Sequence, residues 1–164
     1  MNSLKKTIET LRHQQLGNSV AVDFDGTLVE NCWPNIGKPI PYAFETCKML
    51  QLIGVYTILW TCRNGIQLDE AVLCCKANHY EPAAVNDAIP FDKARGFNSR
   101  KICAGWYIDD KTLNGHQDMK KFWKKMYKIV KKIYDLEVKR GRIHIDWINN
   151  CNSNIGSNVC KKSV

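Results

Sequence analysis

Asp23 and Asp25 stand one residue apart at the end of an apolar run, Val20-Ala21-Val22, and Gly26-Thr27 follows at once. Side chains two positions apart in an extended segment share a face, so the two carboxylates are aimed together. Two like charges that close repel unless a cation or a proton lies between them. Magnesium, a hard cation that takes oxygen ligands, suits such a pair. One carboxylate would then attack and the other would move a proton. Asp-x-Asp-Gly also opens calcium loops, but Glu30 and Asn31 fall out of the register an EF-hand requires.

The elements that must position this pair follow from the hydrophobic pattern. Short apolar runs at 19–24, 55–61, 83–86 and 102–108 predict strands. Helical spacing predicts helices at 4–14, 43–53, 68–78 and 119–138, with Pro41 ahead of the second and Gly54 closing it. Residues 26–40 and 87–99 read as loops. Alternating strands and helices imply an α/β domain around a mainly parallel sheet, and such folds bind ligands at the carboxyl ends of their strands. Asp23 and Asp25, Thr61, and Asp109-Asp110 each fall at a predicted strand end, so three separate stretches are expected to meet at one rim.

These residues resemble the haloacid dehalogenase (HAD) superfamily of phosphohydrolases. Its first motif, Asp-x-Asp-Gly-Thr after a strand, is matched by Asp23-Phe24-Asp25-Gly26-Thr27; its second, a Thr or Ser closing a strand, by Thr61; its fourth, an acidic pair, by Asp109-Asp110. The resemblance implies a three-layer Rossmann-like domain over residues 1–148 and a magnesium-dependent phosphatase. Asp23 would be the nucleophile that forms an aspartyl-phosphate, and Asp25 the acid and base whose backbone carbonyl also ligates magnesium. Asp109 and Asp110 would complete the metal site with Asp23, while the Thr61 hydroxyl and nearby backbone amides, with Gly26 and Thr27, would hold the phosphoryl group. The third motif is a cation shortly before the last strand. Lys101 borders that strand and is favoured, with Lys93 and Arg100 left open. Arg63 reads equally as a surface residue and as a clamp on phosphate or substrate. Asn86 reads as a turn cap that could also line the site. Segments 26–40 and 62–101 leave no room for a cap domain, so a capless, open site is expected, with Trp33 on a small flap that packs on the domain or covers a substrate.

The net charge of +8 is concentrated: residues 119–142 hold ten of the 24 Lys and Arg but two of the 16 acids. A basic amphipathic helix there is a solvated lysine face or a surface for nucleic acid or another polyanion. An anionic membrane surface is a further reading of such a helix. No run is apolar enough to span a membrane, and residues 1–15 lack the apolar core of a secretory signal, so a cytoplasmic location is expected. The eight cysteines form no two-residue-gap pair and read mainly as buried small apolar residues. The four histidines have no metal-ligand spacing. Residues 149–164 read as a flexible tail. A phosphorylated small molecule is the expected substrate, a polynucleotide end or nucleotide the alternative, and a non-catalytic polyanion-binding module the rival of a different class. An open site also makes a homo-oligomer plausible.

Overall fold

A computed structural model describes residues 2–13, 18–96, 99–112 and 115–143. The elements run α1 (Asn2–Arg12), β1 (Ser19–Val22), α2 (Ala43–Leu52), β2 (Tyr56–Leu59), α3 (Gly65–Ala77), β3 (Ala84–Val85), α4 (Pro90–Lys93), β4 (Trp106–Ile108), β5 (Lys111–Thr112), β6 (Gly115–His116) and α5 (Met119–Lys139). Every strand and long helix expected from the pattern is present, with bounds shifted by a few residues. The one-turn α4 and the antiparallel β5–β6 hairpin are additions. Both are too short for a periodic pattern to announce. The expected tail and the segment before it lie outside the described residues.

Strands β3-β2-β1-β4 form one parallel sheet, a Rossmann-like arrangement. Central β1 is buried along its whole length, which is why it reads as a continuous apolar run. Val20, Val22 and Leu59 pack into the main core with α1, α2, α3 and α5. The other face carries a second, smaller cluster around Ala21, Ile58, Ala88, Ile89 and Ile102. The third layer expected there is slight. Among the described residues, the chain between 87 and 105 supplies only α4 and loops, over small residues such as Ala21 and Ala84.

Helix α5 ties the main layer together. Asp118 caps it, its side chain accepting from the Lys121 backbone N–H at 3.0 Å. Trp123, Met126, Val130 and Ile133 fall on one face and are buried, each contributing about 1.5–3 kcal/mol. At its far end Glu137 is buried, and Arg12 of α1, Arg140 and Arg142 surround it. Burial alone would raise this carboxyl, but the three guanidiniums hold it below the ordinary glutamate range. The same Arg12 donates to the Ile53 carbonyl, so α1 is docked onto both α2 and α5.

Cys47 and Cys75 are buried, as expected, but Cys32, Cys62 and Cys103 are exposed. Those three sit in the loops after β1, after β2 and before β4, where the chain runs over the surface.

Candidate active site

Register alone brings the acidic residues together. Val22 lies opposite Leu59 on one side and Ile108 on the other. The next ladder bonds carry on past the strands: Asp23 N–H donates to the Ile108 carbonyl at 2.9 Å, Trp60 N–H to Val22 at 2.9 Å, and Asn86 N–H to Leu59 at 2.8 Å. One step beyond the strands for Asp23, Asn86 and Asp109, and two for Thr61, these residues therefore emerge at the same carboxyl-end rim. With Trp60 and Cys62 they line an open pocket of about 350 Å³. A larger groove, about 510 Å³, lies between α1 and the end of α5 and contains none of these residues.

Asp23, Asp109 and Asp110 each offer a carboxylate oxygen, and these oxygens lie within 4.8 Å of one another. Burial pushes the Asp23 carboxyl up to about 6, and the charges of Asp109 and Asp110 push the same way. Hydrogen bonds from the Phe24 backbone and the Thr27 hydroxyl oppose that rise. An all-oxygen set of crowded carboxylates is the donor chemistry of a hard divalent cation.

Gly26 and Thr27 support this cluster from beneath and do not line the pocket. Gly26 has φ +85°, and a Cβ there would sit 2.5 Å from Asp110 Oδ2. Only glycine fits both the backbone and the space. Thr27 is fully buried. Its hydroxyl donates to Asp23 Oδ2 at 3.0 Å and accepts from the Asp110 backbone N–H at 2.9 Å. Its carbonyl accepts from the Trp123 indole at 2.7 Å, which anchors this turn to α5.

At the end of β2, Thr61 N–H donates to the Asn86 side-chain oxygen at 2.8 Å, and the Thr61 hydroxyl accepts from Arg63 N–H at 3.2 Å. Asn86, at φ 49°, thus braces the turn and lines the pocket at once. The bond from Arg63 N–H uses the Thr61 hydroxyl as acceptor and leaves its proton available to donate.

Asp25 departs furthest from the expected picture. Its carboxylate lies outside the acidic triad, and Arg63 grips both of its oxygens at 2.7 Å. Arg63 itself is 1% exposed. Lys101 and Arg100 are exposed on the segment before β4, and Lys93 pairs with Asp87 at 2.6 Å. Among the described residues, no ion pair joins any of the three to Asp23. Trp60 and Cys62 were not anticipated as lining residues; their only signal in the sequence is that they flank Thr61 at a strand end.

No family model and no curated protein matches the chain. Among solved structures it is similar to a conserved protein coded by a locus of Bacteroides thetaiotaomicron, at 43% identity and a TM-score of 0.58. The match covers 70% of this chain and 89% of that one.

Proposed function

The chain belongs to the same family as that Bacteroides thetaiotaomicron protein, and we propose that it is a magnesium-dependent phosphomonoester hydrolase of the HAD type. The observation that carries this reading is the convergence of Asp23, Asp109 and Asp110 beside Thr61 at one end of a parallel sheet. The order of motifs along the chain supports it. Magnesium, held by that carboxylate set, would offset the repulsion between carboxylates and phosphoryl oxygens.

Asp23 attacks phosphorus, and the ester P–O bond breaks as the aspartyl-phosphate forms. The leaving oxygen takes its proton from Asp25. Asp25 then accepts a proton from water, which attacks the phosphorus and releases phosphate and free Asp23. The Thr61 hydroxyl donates to a phosphoryl oxygen throughout. The testing experiment is a magnesium-supplemented panel of sugar phosphates, nucleotides and 3′- or 5′-phosphorylated oligonucleotides. Release of phosphate by the wild type, lost on the order of a thousandfold or more in Asp23→Asn, supports the reading. No release across the panel, with magnesium bound, overturns it.

A second reading narrows the substrate to a polynucleotide end. Lys121, Lys125, Lys128 and Lys132 recur at helical spacing on the exposed side of α5. The first turns of that helix are joined to the catalytic loop by Lys120–Glu30 at 2.8 Å and Trp123–Thr27. Binding of a phosphorylated oligonucleotide that falls steeply with salt supports this substrate class. Such binding without hydrolysis by the wild type, and unchanged in Asp23→Asn, indicates a polyanion-binding module instead.

A further inference from the structure

We propose that Arg63 is a positioning residue that aims Asp25 and latches the 33–35 segment onto it, fixing the flap after the first motif. The proposal deepens the phosphatase reading, on which its kinetic arm rests. Four hydrogen bonds leave the Arg63 side chain. Nε donates to Asp25 Oδ2 and Nη2 to Asp25 Oδ1, both at 2.7 Å, in the two-point fork that guanidinium makes with carboxylate. Nη1 donates to the Pro34 carbonyl at 3.0 Å and Nη2 to the Asn35 carbonyl at 2.9 Å. The guanidinium carbon also lies 5.2 Å from the Phe24 ring centre and 5.0 Å from that of Trp33.

A clamp on substrate needs donors that face the pocket. Arg63 has five side-chain N–H groups, of which four are engaged by its own chain, and it is absent from the pocket lining. Its buried charge is balanced by Asp25 and by no group of the pocket. Its backbone joins the same network, the N–H to the Thr61 hydroxyl and the carbonyl to Asn86 Nδ2. One residue thus connects the phosphoryl-holding threonine, the proton-moving carboxylate and the flap. For the first step Asp25 takes a proton from solvent on one oxygen, which leaves the fork and passes that proton to the leaving oxygen, while the other oxygen stays on Arg63 and keeps the group aimed. Lysine cannot replace this arrangement, because an ammonium is a point donor without the planar fork.

The test uses the full chain, p-nitrophenyl phosphate with magnesium, and hydrogen exchange of the 31–38 backbone. Arg63→Lys should lower kcat on the order of a hundredfold with KM nearly unchanged. It should also speed exchange at 31–38, whereas Asp23→Asn should leave that exchange as in the wild type. Should Arg63→Lys fail to fold, Asp25→Asn, which keeps the side-chain shape but weakens the fork, should speed exchange over the same residues. A raised KM with kcat retained would overturn the proposal in favour of a substrate clamp. Unchanged exchange at 31–38 in the variant that folds would overturn the latch. Inactive wild type with faster exchange in the variant would overturn the phosphatase reading and leave the latch standing.

Discussion

The Thr27 hydroxyl lies 3.0 Å from Asp23 Oδ2 and holds it in register with the far strand end, because the same oxygen accepts the Asp110 backbone N–H at 2.9 Å. One buried hydroxyl thereby joins the carboxyl ends of β1 and β4, the two strands that supply the acidic triad. Thr27→Val preserves the shape and removes both bonds. It removes the bonds that tie Asp23 and the buried Asp110 N–H together, so denaturant unfolding should show a loss of about 1–3 kcal/mol. The Thr27 bond also lowers the Asp23 pKa. Removing it raises that pKa further, and the acid limb of kcat/KM should move to higher pH.

Asp23 gives stability a pH dependence of its own. Its folded pKa, about 6, lies above the ordinary aspartate value of 3.8. Below about pH 4 both folded and unfolded chains carry the proton, and the group has no effect. As pH rises towards 6 the unfolded state ionises first, so the folded state loses up to about 3 kcal/mol, and that loss persists above pH 6. Without metal, Asp23→Asn should therefore be the more stable protein at pH 8, with the difference gone near pH 4, as read by urea unfolding. Magnesium stabilises whichever state binds it. Its effect on Tm should be larger at pH 8 than at pH 5 and smaller in Asp23→Asn.

Gly26→Ala tests how closely the backbone approaches the triad. The added carbon meets Asp110 Oδ2 at 2.5 Å, in a backbone conformation that L side chains rarely adopt. Strain on the order of 1–3 kcal/mol should appear in the unfolding midpoint. Magnesium affinity, measured by calorimetry, should fall as Asp110 is pushed aside.

The third-motif cation is decided by comparing alanine variants. Lys93 is paired with Asp87 on the surface, so Lys93→Ala should retain near-wild-type turnover. Lys101→Ala should abolish turnover with its circular dichroism unchanged. Full activity in Lys101→Ala would remove this residue as the third-motif cation and direct attention to Arg100.

The strands were legible because each is a short apolar run that ends in polar, chemistry-bearing residues. Residues 20–22 lead to Asp23, and the run ending at Ile108 leads to Asp109. A parallel sheet aligns such ends through its ladder, which is why the rim was foreseeable from residue order alone. The third layer was less legible. Its thinness depends on what covers Ala21 and Ile58, and no local pattern in 87–105 expresses that.

By itself, the sequence determined the kinds of groups available: a carboxylate pair, a strand-ending threonine, a second acidic pair and a lysine-rich helix. Those follow from residue type and local period. The tertiary structure decided how the carboxylates are divided. Asp23 joins Asp109 and Asp110, while Asp25, on the same short segment, is drawn to Arg63 from the end of β2. Alternation along a strand predicts a shared face but not a shared partner. The chain leaves strand geometry after Val22, and beyond that point the Asp25 side chain turns to the counter-charge that buried Arg63 supplies.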